Sequence, residues 1–161
     1  MTKSKIMGTR HLQTVITKDG AVKVRQYGQW DGYPDGQGRD ILEYLLKGNL
    51  EKYQGNLAKI TEITPKQSNW LNRQKEWWVR YPHMSRDCGS KIHQMIEDGS
   101  VEFVALMDEE EAKKWCEGFY TIDFSAGTFT VEYYEHTRQY NINSLPTIKK
   151  YLSEWKKLLK E

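Results

Sequence analysis

Hydrophobic and polar positions alternate near both ends of the chain and follow a helical period between them. Residues 11–17 carry Leu12, Val15 and Ile16, Lys18-Asp19-Gly20 reads as a turn, and Val22 and Val24 alternate with Lys23 and Arg25 over 21–27. This pattern predicts a β-hairpin. Residues 119–124 and 128–134, split by Ser125-Ala126-Gly127, predict a second. Between them, Ile41, Leu42, Leu45 and Leu46 share one side of a helix that begins near Asp40 and stops at Gly48. A weaker helix follows over about 50–60. Thr64-Pro65 opens a third, which sets Trp70, Leu71, Trp77 and Trp78 at spacings of seven and ends at Tyr81-Pro82. Ser85 or Asp87 is positioned to cap a helix carrying Ile92, Met95 and Ile96. Residues 101–107 predict a short strand and 109–115 a short charged helix. After Pro146 an amphipathic helix presents Ile148, Leu152, Trp155 and Leu159. Hairpins flanking a helical middle predict an α+β fold: one antiparallel sheet from two hairpins, with helices packed on it, in a single domain over residues 1–161.

The composition narrows the class. The chain has 161 residues, 38% hydrophobic and 29% charged, and no internal repeat or low-complexity segment. The 12% of aromatic residues, with six Trp and ten Tyr, excludes a disordered segment. A net charge of only +2 means that nucleic-acid binding would need a local basic patch. The strongest such run is Lys149, Lys150, Lys156, Lys157 and Lys160 near Trp155, although a solvated helix face accounts for it more simply. Cys88 and Cys116 are too few for a disulfide framework. Residues 1–7 are expected to be flexible and carry no secretion signal, and no stretch approaches a membrane span. A cytoplasmic protein without membrane attachment is expected.

The densest candidate chemistry is the run from Gln26 to Pro34, continuing through Gly36-Gln37-Gly38. Gln26, Gln29, Asp31 and Gln37 offer donors and acceptors, Trp30 and Tyr33 offer flat faces, and four glycines permit close backbone approach. A turn that satisfies its own backbone is the commoner use of such residues. Hairpin geometry brings Arg10 near residue 28, so Arg10, Gln26, Gln29, Trp30, Asp31, Tyr33 and Gln37 are expected around one concave surface, with Arg10 meeting Asp31 or a bound anion. Arg86, in Ser85-Arg86-Asp87-Cys88-Gly89-Ser90, is a further candidate ligand for a carboxylate or phosphate. Gly36-Gln37-Gly38 lacks the Lys-Ser/Thr ending of a phosphate loop. His11, His83, His93 and His136 show no metal-site spacing, and neither a metal nor a cofactor is expected.

Gly8-Thr9-Arg10-His11-Leu12, with the run from Gln26 to Gly38, resembles a family of uncharacterised proteins encoded by bacteriophages, prophages and some fungi. The resemblance returns at Ser85-Arg86-Asp87-Cys88-Gly89 and over Cys116-Glu117-Gly118-Phe119-Tyr120-Thr121-Ile122-Asp123, where Gly118 replaces an expected aromatic. It implies a small phage-type accessory protein acting by binding, as an inhibitor of a host defence protein or by sequestering a nucleotide-like signal in the host cytoplasm. The opening strand and polar Gly/Trp/Asp turn also resemble N-terminal-nucleophile amidohydrolases. That similarity implies an alternative, a small hydrolase centred on Thr9, Arg10, His11 and Asp31. Such chemistry needs a free N-terminal nucleophile, whereas seven residues precede Gly8 here.

Overall fold

In the computed structural model, which describes residues 8–160, both predicted hairpins belong to one sheet. β1 (His11–Ile16) pairs with β2 (Val22–Gly28), and β5 (Gly118–Asp123) with β6 (Thr128–Tyr133), each pair antiparallel. β7 (His136–Asn141) extends the sheet to the order β2-β1-β5-β6-β7. The expected flexibility of residues 1–7 lies outside the described residues.

The fold class is α+β, but the sheet is mixed rather than antiparallel. β1 runs parallel to β5, with His11 opposite Gly118 and Ile16 opposite Asp123. Parallel neighbours need a long crossover, and the helical middle of the chain supplies it. β7 was hidden in the sequence because its inward positions are His136, Arg138 and Tyr140, which give no apolar alternation. The strand expected over 101–107 shrinks to β4 (Phe103–Val104), parallel to β3 (Thr61–Glu62) in a separate two-stranded sheet. Its continuation lies along β2, where Met107 N–H donates to Arg25 O (2.9 Å).

The helices are α1 (Arg39–Lys47), α2 (Leu50–Leu57), α3 (Pro65–Asn72), α4 (Trp77–Arg80), α5 (Lys91–Glu97), α6 (Glu109–Trp115) and α7 (Ile148–Leu159). Thr64 and Gln67 form a reciprocal capping box on α3. The single aromatic helix expected over 65–81 is broken. Arg73 and Gln74 tighten onto Trp70 and Leu71, and Glu76 turns the chain in the left-handed region at φ 52°. Ser85 and Asp87 do not cap α5, which begins later, after Ser90. On α7 the buried stripe is Tyr151 and Trp155, while Leu159 faces solvent. No described helix is long and apolar enough to cross a membrane.

One continuous core joins Val15, Val24, Ile122 and Phe129 of the sheet to Leu42, Leu45, Leu57, Ile92, Ile96 and Trp155 of the helices. A polar chain runs through it. Gln13 Nε2–H donates to Gly89 O (2.7 Å), which leaves Gln13 Oε1 to accept from His93 Nε2–H (2.8 Å). His93 Nδ1 must then be the acceptor for the Tyr53 hydroxyl (2.9 Å). Three buried hydrogen bonds therefore point one way, from α2 through α5 and β1 to the turn at Gly89.

Burial, reinforced by the neighbouring His11, lowers the pKa of His93 to about 3. Burial alone lowers that of His11 to about 4. Both rings are neutral when folded and take up a proton once unfolding exposes them. Their stabilising contribution is therefore complete above pH 6.5 and lost as the pH falls towards the folded values. Together they set a slope of about 2 kcal/mol per pH unit near pH 5.5. Urea unfolding between pH 8 and pH 5 will show stability falling below pH 6.5. His11→Phe, which keeps the ring shape, will roughly halve that slope; an unchanged slope would contradict this assignment.

Candidate functional site

The strand register decides where Arg10 goes. Because His11 lies beside Gly118, the residue before β1 lies beside Glu117. Arg10 N–H donates to Glu117 Oε1 (2.8 Å) and Arg10 Nη2 to Glu117 Oε2 (2.6 Å), while Arg10 O accepts from the backbone N–H groups of Glu117 and Gly118. The expected meeting with Asp31 is replaced by this pair. Counting around the hairpin locates the β2 neighbour of Arg10 but says nothing of the parallel neighbour on its other side.

The four glycines of the loop are packed against the protein's own atoms. A Cβ at Gly28 would lie 2.0 Å from the His11 ring, and one at Gly38 would lie 2.6 Å from the Tyr151 hydroxyl. Gly32 and Gly36 are crowded by the backbone of Thr9 and Asp31. Tyr120 and Tyr151, both buried, donate from their hydroxyls to Gly32 O (2.5 Å) and Pro34 O (2.6 Å). Within the loop, the close approach that glycine allows serves packing.

The other predicted residues divide between two places. Gln26 Nε2–H donates to His83 O (2.5 Å), and Gln29 N–H donates to Arg86 O (3.0 Å). Gln37 Nε2–H donates to Trp30 O (3.3 Å), and its Oε1 accepts from Ser90 N–H (2.8 Å). The indole of Trp30 donates to Asp87 Oδ1 (2.6 Å), and 44% of the Trp30 side remains exposed. Gln26, Gln29, Trp30, Gln37 and Arg86 thus meet where the loop joins the 83–90 segment. Tyr33 turns instead towards β6, with its ring 6.2 Å from that of Tyr133. Asp31 is exposed at φ 55° and contributes its carbonyl to Gln37 N–H. Arg10, held by Glu117, and Tyr33, packed on Tyr133, thus have partners outside the group of five.

A cleft of about 300 Å³ opens at the β2 edge beside the first group, with Arg25, Gln26, Tyr27, Met84, Arg86 and Met107 among its lining. This volume is at the low end for small-molecule sites. Arg25 Nη1–H is held by Met107 O (3.2 Å). Arg86 is exposed and forms no ion pair among the described residues. The Tyr27 hydroxyl donates to Gln29 Oε1 (2.5 Å). Burial, aided by Cys116, raises the Tyr27 pKa against the opposing charges of Arg10 and Arg86, so the phenol stays protonated. Arg25, Tyr27 and Met107 were missed as site residues. The available signal was an edge strand whose outward positions, Arg25 and Tyr27, are cationic and aromatic.

Nucleophilic chemistry finds little support in this setting. Burial pushes the Cys88 thiol up to about 11 and that of Cys116 to about 12. Thr9 and His11 are shut off from solvent, and the Thr9 hydroxyl and both His11 ring nitrogens have no hydrogen-bond partner among the described residues. His83 Nε2–H donates to Phe103 O (2.8 Å), and the described residues contain no group of three or more His, Cys, Asp or Glu placed to hold a metal. On α7 the indole of Trp155 is buried and donates to the Tyr140 hydroxyl (3.0 Å), so it gives the lysine face no stacking partner. No protein-family model, curated protein or solved structure matches the chain.

The Arg10–Glu117 pair fastens the start of β1 to β5. Glu117→Gln removes the charge while keeping an acceptor. It is expected to cost about 1–2 kcal/mol, because 24% and 17% of the two side chains still face water. Chemical denaturation will measure it, and a change below experimental error would show that the pair contributes nothing.

Proposed function

We propose that this protein acts by binding, and that it holds a small nucleotide-like ligand in the cleft beside β2. The observation that carries this reading is Arg86, an exposed guanidinium that forms no ion pair among the described residues, at a cleft also lined by Tyr27. An arginine with open donors suits a phosphate bidentately, and an aromatic face suits a base. Trp30, fixed beside Arg86 through Asp87, supplies a second exposed ring. The loop glycines, the Arg10–Glu117 pair and the Gln37 bridge supply rigidity, so little ordering cost falls on the ligand.

The resemblance to phage-encoded proteins supports a role in the host cytoplasm, as an accessory that withdraws a nucleotide-like signal from a defence system. Masking a host defence protein would be the other form of that role. A cleft of about 300 Å³ with a cationic mouth favours the small ligand. Sequestration requires no turnover, which fits thiols and a histidine held in unreactive states.

Titration calorimetry with a panel of nucleoside monophosphates and cyclic dinucleotides tests the reading. At least one should bind stoichiometrically and be recovered intact after heat denaturation of the complex. Arg86→Ala should weaken that binding at least tenfold, about 1.4 kcal/mol. Trp30→Ala should weaken it by more than about 1 kcal/mol, the scale of a lost stacking face. Absence of binding across the panel, full affinity in Arg86→Ala, or recovery of a chemically altered ligand would each contradict it.

A further inference from the structure

The segment 65–80 exposes two of its three tryptophans to solvent. Three of the six tryptophans lie in it, and only Leu71 of α3 and α4 is buried. Trp70 is 55% exposed and Trp78 52%, and Val79 between them and the next turn is 66% exposed. Trp77 packs against Trp78 in a T-shaped pair with ring centroids 6.1 Å apart, and the Trp78 residue still remains 52% exposed. Exposed indoles of this size forgo burial worth having, and a monomer rarely leaves them together without a partner.

Charge identifies the kind of partner. The same sixteen residues carry Lys66, Arg73, Lys75 and Arg80 against the single carboxylate of Glu76, a net of +3. The whole chain is only +2, so the remainder of the molecule is net −1. All four cations are exposed, and none forms an ion pair among the described residues. The lysine run of α7 carries more charge, but this run has exposed indoles among its cations, whereas the Trp155 indole of α7 is buried. Glu76, a non-glycine residue held at φ 52°, forces the break that separates Trp70 from the Trp77–Trp78 pair. An uninterrupted helix would avoid that strain.

We propose that α3 and α4 form a binding surface for single-stranded nucleic acid. Indole faces stack on unpaired bases without regard to sequence, and the interleaved lysines and arginines follow the phosphates. An acidic protein segment would satisfy the cations but leave the tryptophans unexplained. A duplex hides the base faces that the indoles require. This surface adjoins the nucleotide-like cleft, whose lining includes Ser68 of α3, but the inference does not depend on that cleft's ligand.

Fluorescence anisotropy of a labelled twelve-residue oligothymidylate, titrated with the full chain at 50 mM salt, tests the proposal. Binding should weaken with salt, at about 0.7 logarithmic units of affinity per logarithmic unit of salt for each cation engaged. Trp70→Ala and Trp78→Ala should each weaken binding at least fivefold. Both rings are exposed, so these changes leave the core intact, and far-ultraviolet dichroism will confirm the fold of each variant. The combined Lys66→Gln, Arg73→Gln, Lys75→Gln and Arg80→Gln variant should abolish binding and gives an independent arm. Lys156→Gln with Lys157→Gln, on α7, should change affinity less than twofold. The proposal is overturned by no anisotropy change up to 100 µM protein, by duplex binding as tight as the single strand, or by polyglutamate competing as well as unlabelled oligothymidylate. Unchanged affinity in both tryptophan variants would also overturn it.

Discussion

The interior strand β1 carries Gln13 where a core strand ordinarily carries an aliphatic residue, and the arrangement around the candidate site depends on how that amide is satisfied. A buried amide without partners is costly, whereas a fully paired one specifies a unique packing. Gln13 gives its N–H to Gly89 O and its oxygen to His93, which in turn takes the Tyr53 hydroxyl proton. These bonds tie α2, α5 and β1 to the turn that carries Arg86. Gly89 is at φ 56°, and a Cβ there would lie 2.7 Å from the Gln37 amide, so this turn seats against the loop at a position that excludes a side chain. Gln37 then bridges Ser90 and Trp30. The guanidinium of Arg86 is consequently presented from a turn fastened to the core, although its own side chain lies in solvent.

That anchoring explains an apparent mismatch between the loop's composition and its exposure. Its amides, carboxylates and glycines look like ligand-reading groups, yet most of them meet backbone or side-chain atoms of the same chain. The loop is built as a scaffold, and the proposed ligand surface lies along β2. The ionisable residues at the heart of the fold are held uncharged, which suits a scaffold and makes acid the natural way to undo it.

What was legible in the sequence follows the range of the forces involved. The two hairpins were readable because alternation and turn residues are local properties, and α1 and α7 because an apolar stripe is periodic. The parallel pairing of β1 with β5 was not, since it joins residues about a hundred positions apart and leaves no local mark. Arg10 was misassigned for the same reason. β7 was invisible because its inward positions are polar or amphipathic. The tryptophans of 65–80 looked like a stripe only on the assumption of one helix, and the left-handed Glu76 breaks that assumption. Of the candidate site, Gln26, Gln29, Trp30, Gln37 and Arg86 were found by residue type and do come together. Arg25, Tyr27 and Met107 were not, because their role comes from an edge that exists only after the sheet has formed.

The proposed ligand enters at the β2 edge, beside Arg86. Backbone amide chemical shifts of the isotope-labelled full chain, followed while a bound nucleotide is titrated in, test it most directly. The largest shifts are expected at Arg25, Gln26, Tyr27, Arg86 and Met107, with the amides of β6 and β7 unmoved. Shifts confined to β6, β7 and α7, with Arg25, Tyr27 and Arg86 unmoved, would contradict it.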